Sequence, residues 1–240
     1  MATRYKYKRV LLKLSGEALK GYQDSGYDAQ ALDTLVKTVQ KVIDQGVELA
    51  IVVGAGNVWR GVNGSGWGMD RVTADYMGML ATVMNGLCLR DALSNSGIAA
   101  EVFSAIQMEP VVRHYNRNQA MNAMNAGKVC IFTGGTGSPY FTTDTASTLR
   151  ALEMDCEAVL KATKVDGIYS ADPMKDPNAT RFTQISYTDC LAMKLGVMDS
   201  TAFSMCSDNN LPIVVFNFSD PNNLEKVLEG DLTIASVVGE

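Results

Sequence analysis

The stretch Val10-Leu11-Leu12-Lys13-Leu14-Ser15-Gly16 joins a short apolar run to a glycine turn, and it constrains the fold more than any other part of the sequence. The aliphatic residues predict a buried strand over residues 10–14. A lysine in such a run is costly to bury without an anionic partner, and glycine lets backbone N–H groups approach an anion closely. The stretch therefore predicts a strand that ends in a phosphate-binding turn.

Outward from this strand, short apolar runs alternate with segments of helical period. Apolar residues recur at helical spacing from Leu32 to Ile43, in a helix that ends near Gly46. Further strands are predicted over residues 47–53, 99–103, 129–133, 158–160 and 212–216, and further helices over residues 71–93, 145–154 and 199–207. This order predicts an α/β fold, a three-layer sandwich with an open, mostly parallel sheet and helices on both faces.

Composition and charge indicate one globular domain. The chain has 240 residues, of which 47% are hydrophobic and 20% are charged, enough to bury a full core. The apolar stretch after the basic residues 1–9 is too short for a signal peptide or a membrane span, so we expect a cytoplasmic protein without a membrane partner. A net charge of −5 gives no general attraction to nucleic acid. The five cysteines contain no CxxC pair and are expected to be free thiols.

Three glycine-rich turns, at residues 13–16, 54–57 and 134–137, each follow a predicted strand directly. The carboxyl ends of parallel strands lie along one edge of a sheet, where ligands bind. A single glycine-rich turn after a strand is common in loops and indicates no site. Three turns that each follow a strand directly predict one anion-binding crevice. The Walker pattern is absent, and Trp59 replaces the third glycine of the dinucleotide fingerprint.

The charged residues beside these turns favour phosphoryl transfer. Lysine, arginine, backbone amides and Mg²⁺ suffice for that chemistry, which consists mainly of positioning and charge neutralisation. The single histidine, His114, lies in a polar segment and is interpreted as part of a surface loop. Asp144 and Asp172 are carboxylates that could orient a metal or a lysine, or could equally serve as a helix cap and a turn former. The polar segment 166–180 is interpreted as a hairpin or a lid.

Four blocks of the sequence resemble the amino acid kinase superfamily, and within it the bacterial UMP kinases, along nearly the whole chain. They are residues 12–19 (LKLSGEAL), 75–82 (DYMGMLAT), 135–144 (GTGSPYFTTD) and 160–167 (LKATKVDG) with 171–173 (ADP). The resemblance implies transfer of the γ-phosphate of ATP to UMP with Mg²⁺ on the ATP phosphates. It also implies an acceptor-binding part at roughly residues 1–155, an ATP-binding part at roughly 156–240, a homohexamer, activation by GTP and inhibition by UTP.

The resemblance also implies roles for individual residues. The catalytic residues would be Lys13, Asp144 and Arg60, with Lys13 stabilising the charge of the transferring phosphoryl group. The ATP site would contain Lys13, Leu14, Ser15, Gly16, Gly56, Arg60, Thr163, Tyr169 and Asp172. The UMP site would contain Ala55, Asp75, Thr136, Gly137, Ser138, Pro139, Tyr140, Phe141, Thr142 and Thr143, with Asp75 on the ribose. No residue is assigned to a resident metal.

Two residues depart from the family pattern. Ala55 replaces the middle one of three consecutive glycines, and Ser138 stands where asparagine is common. The methyl group of Ala55 would weaken UMP binding if this residue needed a positive φ or a phosphate had to approach within its breadth. Because its backbone N–H remains, we expect the change to be tolerated.

Two other interpretations stay open. One is a kinase of the same fold that phosphorylates a carboxylate, although the acid Asp75 would repel such a substrate. The other is a nucleotide-binding or storage protein that has lost turnover, although Lys13 and Asp144 weigh against it. The helix that contains Met77, Met79 and Met84 is either an interface or plain core.

Overall fold

The computed structural model describes residues 5–59, 68–173 and 175–239 of the chain. In chain order, its strands are β1 (Arg9–Leu14), β2 (Glu48–Val53), β3 (Ala100–Ser104), β4 (Arg113–His114), β5 (Val129–Thr133), β6 (Ala158–Thr163), β7 (Ile168–Tyr169), β8 (Arg181–Phe182), β9 (Gln184–Ile185), β10 (Ile213–Asn217) and β11 (Ala235–Val238). Its helices are α1 (Glu17–Lys20), α2 (Ala29–Ile43), α3 (Arg71–Asn95), α4 (Arg117–Asn125), α5 (Thr143–Glu153), α6 (Tyr187–Ala192), α7 (Ser200–Asp208) and α8 (Asn223–Leu228).

Nine of the described strands form one sheet in the order β4-β3-β5-β2-β1-β6-β10-β11-β9. Its strand pairs are parallel except for β10 with β11. The sheet runs without interruption from the strands of residues 1–155 to those of residues 156–240, which meet where β1 pairs with β6. The predicted mostly parallel α/β sheet is confirmed.

Helices cover both faces of this sheet. Alternate residues of β1 point to opposite faces, so that Leu12 packs in one core cluster and Leu11 in the other. Buried residues of α2, α3 and α8 fill the first cluster, and buried residues of α4, α5, α6 and α7 fill the second. The three-layer sandwich is therefore confirmed. None of the helices in the described ranges has the length and hydropathy that a membrane span requires.

The structure also bears on three local predictions, of which only the one for His114 differs from what is observed. His114 is exposed, as expected, but it belongs to the short strand β4 rather than to a loop, because β4 pairs with the end of β3. The segment 166–180 is a hairpin, since β7 and β8 pair antiparallel at its base. In α3, Met79 is buried whereas Met77 and Met84 are exposed, so that the methionines divide between core and surface.

The sheet order brings together the ends of strands that are distant in sequence. The strands β5, β2, β1 and β6 are consecutive and parallel, so their carboxyl ends share one edge. The turns at residues 13–16, 54–57 and 134–137 and the end of β6 all lie along that edge.

Candidate active site

Two lysines and one aspartate form a partly buried cluster at this edge. Lys13 Nζ lies 3.0 Å from Asp144 Oδ1, and Lys161 Nζ lies 2.8 Å from Asp144 Oδ2. The lysine side chains are 16% exposed and the aspartate side chain is 14% exposed. Lys161 Nζ also donates to the carbonyl oxygen of Val197 at 2.6 Å. One carboxylate is therefore shared by two ammonium groups.

Strand register and a helix cap produce this arrangement. Lys13 and Lys161 are direct partners in the parallel pairing of β1 with β6, so their side chains leave the sheet side by side. Asp144 lies in the first turn of α5, where Thr142 is the N-cap and its Oγ1 accepts from the backbone N–H of Asp144 and Thr145. An acidic residue at this position interacts favourably with the helix dipole.

The cluster perturbs its own ionisation. Burial raises the pKa of Asp144, but the charges of Lys13 and Lys161 outweigh burial and hold this pKa below its usual value. Burial lowers the pKa of Lys161, while the Asp144 carboxylate opposes that shift and the Lys13 charge adds to it. The carboxylate therefore stays ionised and keeps two ammonium groups close together.

The side chains of Lys13, Lys161 and Asp144 together carry one net positive charge. Two ammonium groups contact one carboxylate in a site that is largely removed from water, where an unbalanced charge is costly. The charge of Asp199 also raises the pKa of Lys161, but it is the weakest of the influences on that lysine. Within the described part of the chain, Asp144 Oδ1 receives no hydrogen bond of good geometry, although the ammonium group of Lys13 is close. An anionic group such as a phosphoryl oxygen would balance the excess charge, and this is the main chemical capacity of the site.

The first and second turns lie directly against each other. The backbone N–H of Gly54 donates to the carbonyl oxygen of Leu14 at 2.9 Å. A Cβ atom on Gly16 would overlap the carbonyl oxygen of Gly54 and would lie 2.7 Å from the backbone nitrogen of Gly56. Ser15 is exposed beside this contact, and its Oγ accepts from the backbone N–H of Glu17 at 3.3 Å. The two turns can approach this closely because residue 16 is glycine.

Residue 55 does not need the positive φ that would make alanine unfavourable there. Ala55 is not among the residues with positive φ, and neither of its neighbours Gly54 and Gly56 adopts a positive φ. An L-amino acid is therefore accommodated at this position without backbone strain. The expected tolerance of Ala55 is supported as far as the backbone is concerned.

The third turn leads into a loop that α3 holds in place. The backbone N–H of Gly134 donates to Thr82 Oγ1 at 2.8 Å, and the backbone N–H of Tyr140 donates to Asp75 Oδ2 at 2.8 Å. Asp75 also accepts from Arg71 Nε at 3.0 Å, and the Arg71 guanidinium lies 5.1 Å from the centre of the Tyr140 ring. Asp75 thus joins the start of α3 to the loop.

This loop contains the predicted UMP-binding residues. Tyr140 has a φ of 72°, which is uncommon for a residue other than glycine. Tyr140 and Phe141 are 65% and 47% exposed, so two aromatic side chains face solvent at the mouth of the crevice. Thr136 and Ser138 form a local turn, in which Thr136 Oγ1 accepts from the Ser138 N–H at 3.3 Å. Gly137 and Pro139 complete the loop, which ends at Thr142 and Thr143.

The predicted ATP residues lie on two sides of β1. Thr163 ends β6, and its hydroxyl donates to the carbonyl oxygen of Val165 at 2.6 Å. Tyr169 belongs to the hairpin, and its hydroxyl donates to Asp166 Oδ1 at 2.7 Å. Asp172 is exposed in the same hairpin. Arg60, predicted to be catalytic, lies outside the described residues.

The structure adds residues that were not assigned to the site from sequence. From sequence, Lys161 is one of the cations beside the strand ends but has no role in the site. It carries the same signal as Lys13, a lysine inside an apolar strand, and could have been assigned on that ground. Asp199 is the N-cap of α7, and it accepts hydrogen bonds from the hydroxyls of Thr142 and Thr145. Nothing in the sequence indicated that α7 lies against the start of α5.

Comparisons with known proteins show the family and the fold of this chain. Residues 8–217 match the model of the amino acid kinase family. The uridylate kinases of Pseudomonas paraeruginosa and Pseudomonas aeruginosa are 53% and 52% identical to the chain, in each case over 95% of the chain and 94% of the relative. The crystal structure of UMP kinase from Bacillus anthracis has a TM-score of 0.93 at 35% identity and covers 97% of this chain and 96% of its own. That of UMP kinase from Ureaplasma parvum has a TM-score of 0.93 at 36% identity, with coverages of 98% and 100%.

Proposed function

The chain belongs to the amino acid kinase family, and from this we propose that it transfers the γ-phosphate of ATP to UMP, giving UDP and ADP. The observation that carries the proposal is the cluster of Lys13, Asp144 and Lys161, whose excess positive charge lies where the turns of parallel strands converge. The similarity to uridylate kinases over 95% of the chain supports UMP as the acceptor.

In the proposed reaction, Lys13 and Lys161 bind oxygens of the phosphoryl group while it moves from donor to acceptor. Negative charge is spread over these oxygens in the transition state, and fixed ammonium groups in a site with little water stabilise it strongly. Asp144 would not contact the phosphoryl group as a base. Its carboxylate holds both lysines in position and opposes the effect of burial, which lowers the pKa of Lys161.

The geometry supports opposite positions for the two nucleotides. The hairpin with Tyr169 and Asp172 follows β6, on the side of β1 where we place ATP. The loop from Thr136 to Thr143 follows β5, on the other side, where we place UMP. The second turn, which follows β2, lies between them, with Ala55 assigned to UMP and Gly56 to ATP. The contact between Gly16 and Gly54 brings the two sides together at the cluster. We accordingly assign residues 1–155 mainly to the acceptor and residues 156–240 mainly to ATP.

Magnesium fits this site as a companion of ATP. The described residues contain no group of three or more histidine, cysteine, aspartate or glutamate side chains placed to hold a metal ion. The carboxylate of Asp144 is shared by two ammonium groups, which compete electrostatically with a cation. Mg²⁺ commonly binds through substrate phosphates and water with few protein ligands, and it would neutralise charge on the phosphates.

We also propose that the protein forms a homo-oligomer through α3, as the predicted homohexamer requires. Tyr76, Met77, Leu80 and Met84 are 36–52% exposed on this helix. An apolar surface of this kind is typical of protein contacts. Activation by GTP and inhibition by UTP remain predictions from the family resemblance, to be checked by adding each nucleotide to the assay below.

A coupled assay of ADP release tests the proposed function. Purified protein with Mg-ATP should turn over UMP, and dUMP and CMP should be compared as acceptors. Turnover of acetylglutamate or aspartate without turnover of UMP would overturn the proposal in favour of a carboxylate kinase. Calorimetric binding of UMP without ADP release would instead indicate a nucleotide-binding or storage protein.

A further inference from the structure

The side-chain amides of Asn57 and Asn85 form a closed pair beneath the second turn. Asn57 Nδ2 donates to Asn85 Oδ1 at 3.0 Å, and Asn85 Nδ2 donates to Asn57 Oδ1 at 2.8 Å. The second N–H of each amide donates to a backbone carbonyl oxygen, from Asn57 to Gly26 at 3.0 Å and from Asn85 to Gly54 at 2.8 Å. Asn57 is 2% exposed and Asn85 is 0% exposed. All four amide hydrogens are therefore used, in a place where an unpaired donor would be costly.

This amide pair holds the second turn from three directions. Asn85 lies in the middle of α3 and binds the first carbonyl of the turn, at Gly54. The backbone N–H of Gly26 donates to the carbonyl oxygen of Asn57 at 2.9 Å, which ties the last residue of the turn to the loop after α1. Asn57 Oδ1 lies against Gly16, since a Cβ atom on Gly16 would be 2.5 Å from it. The backbone of residues 54–57 thus has a position fixed by helix, loop and first turn.

The same face of α3 also holds the loop after β5. Thr82, one turn before Asn85, accepts from the backbone N–H of Gly134, and Asp75 accepts from that of Tyr140. Residues 75, 82 and 85 follow helical spacing, so they lie on one face. A single helix therefore sets the position of both chain segments that we assign to the acceptor.

We propose that Asn85 is a positioning residue for the phosphate of the acceptor. Through its bonds to Gly54 and Asn57, it fixes the backbone of the second turn, where Ala55 would meet the α-phosphate of UMP and the adjacent Gly56 belongs to the predicted ATP site. This inference rests on the proposed function, which places the acceptor phosphate at the second turn. The effect should fall mainly on the acceptor phosphate, because the amide pair hydrogen-bonds within the second turn and meets the first turn only where Asn57 Oδ1 lies against Gly16. In the described structure its side-chain amides form no hydrogen bond with the loop from Thr136 to Thr143 or with the hairpin after β6.

Steady-state kinetics of two substitutions test this role. Asn85→Asp keeps the side-chain shape but replaces the donor to Gly54 by an acceptor, and Asn85→Leu removes both donors at similar volume. We expect KM for UMP to rise at least about tenfold. The inhibition constant of uridine against UMP should change by less than about twofold, because uridine has no phosphate. Asn85→Ser, with a smaller donor, replaces these variants if neither folds, and should raise KM for UMP to an intermediate value.

A matched control separates positioning from stability. Leu89 lies one turn further along α3, is 0% exposed and packs in the core, so that Leu89→Ala weakens the helix without touching the turn. It should lower the melting temperature and leave KM for UMP unchanged. Two results would overturn the inference, provided that the wild-type enzyme phosphorylates UMP. One is an equal loss of affinity for UMP and for uridine in the Asn85 variants, and the other is an unchanged KM for UMP. Failure of the wild-type enzyme to phosphorylate UMP would overturn the proposed function itself.

Discussion

Lys13 and Lys161 are register partners on the adjacent parallel strands β1 and β6, and both lie in the carboxyl-terminal half of the strand that carries them. Two buried ammonium groups side by side repel each other, and burial alone lowers the pKa of Lys161. The arrangement is stable because the carboxylate of Asp144 reaches both of them. The cluster is therefore prepared to accept an anion with little rearrangement, which is what preorganised stabilisation of a transition state requires.

The first prediction concerns the role of Lys13 in the chemical step. Lys13→Ala should reduce kcat by about 10²–10³-fold, since one fixed donor to the developing charge is lost. KM for UMP should stay within about twofold of the wild-type value, because Lys13 lies on the ATP side. Steady-state kinetics with coupled detection of ADP measure both constants.

A surface lysine provides the control for this substitution. Lys37 forms an exposed pair with Asp33, and Lys37→Ala removes the same charge far from the turns with little expected effect on kcat. Loss of UMP binding in Lys13→Ala, together with normal turnover at saturation, would contradict the role assigned to Lys13.

The second prediction concerns the pH dependence of catalysis. The Asp144 carboxylate raises the pKa of Lys161 against the effect of burial. In Asp144→Asn this opposing charge is gone, so the pKa of Lys161 falls further and the lysine loses its proton at a lower pH. Because the reaction needs a charged lysine, the alkaline limb of the profile of kcat against pH should move to lower pH, with a lower maximum. The profile should be measured from about pH 6 to about pH 10.

The matched control for this profile is Asp33→Asn, which removes an exposed carboxylate paired with Lys37. Its alkaline limb should coincide with that of the wild-type enzyme. If the limb of Asp144→Asn also coincided with the wild-type limb, or lay at higher pH, the coupling between Asp144 and Lys161 would play no part in catalysis.

The sequence predicted the sheet and the three turns because both depend on local patterns. Apolar runs mark the strands, glycines mark the turns after them, and parallel strands bring those turns to one edge. Lys13 was assigned to the site from these signals alone. Lys161 carries the same signal, but its pairing with Lys13 depends on the order of strands in the sheet, which no local pattern specifies.

Contacts between elements that are distant in sequence were beyond prediction for the same reason. The sequence places Asn57 at the end of a turn and Asn85 inside a helix, and nothing local indicates that their amides meet. Asp199 could be predicted as a helix cap but not as a partner of Thr145. The sequence shows that Ala55 is unusual for the family, but the sign of its φ can be read only from the folded backbone.

The third prediction concerns Ala55 and follows from its φ, which is not positive. Because residue 55 has no positive φ, Ala55→Gly supplies conformational freedom that the folded turn does not use. KM for UMP should therefore change by less than about twofold, and the free energy of unfolding should fall by about 0.4–1 kcal/mol. Kinetics and chemical denaturation measure these two quantities. A KM for UMP that fell about tenfold or more would show instead that the methyl group obstructs the phosphate.

The fourth prediction tests the contact between the first two turns. In Gly16→Ala, the new methyl group would overlap the carbonyl oxygen of Gly54 and lie 2.7 Å from the nitrogen of Gly56, both of them backbone atoms. The turns must then move apart, and so must the donor and acceptor that they hold. We expect kcat/KM to fall on the order of 10²-fold, since displacements of about 1 Å have effects of this size. The free energy of unfolding should fall by about 1–3 kcal/mol.

Gly196→Ala is the matched control, because a Cβ atom on Gly196 would meet no heavy atom of the described chain within 4 Å and its φ is not positive. This variant should keep the wild-type kcat/KM and lose no stability. The two substitutions add the same methyl group, so any difference between them reports the space that the paired turns require. Wild-type kcat/KM in Gly16→Ala would mean that the turns can separate without cost to catalysis, and that their close contact does not set the distance between the reacting phosphates.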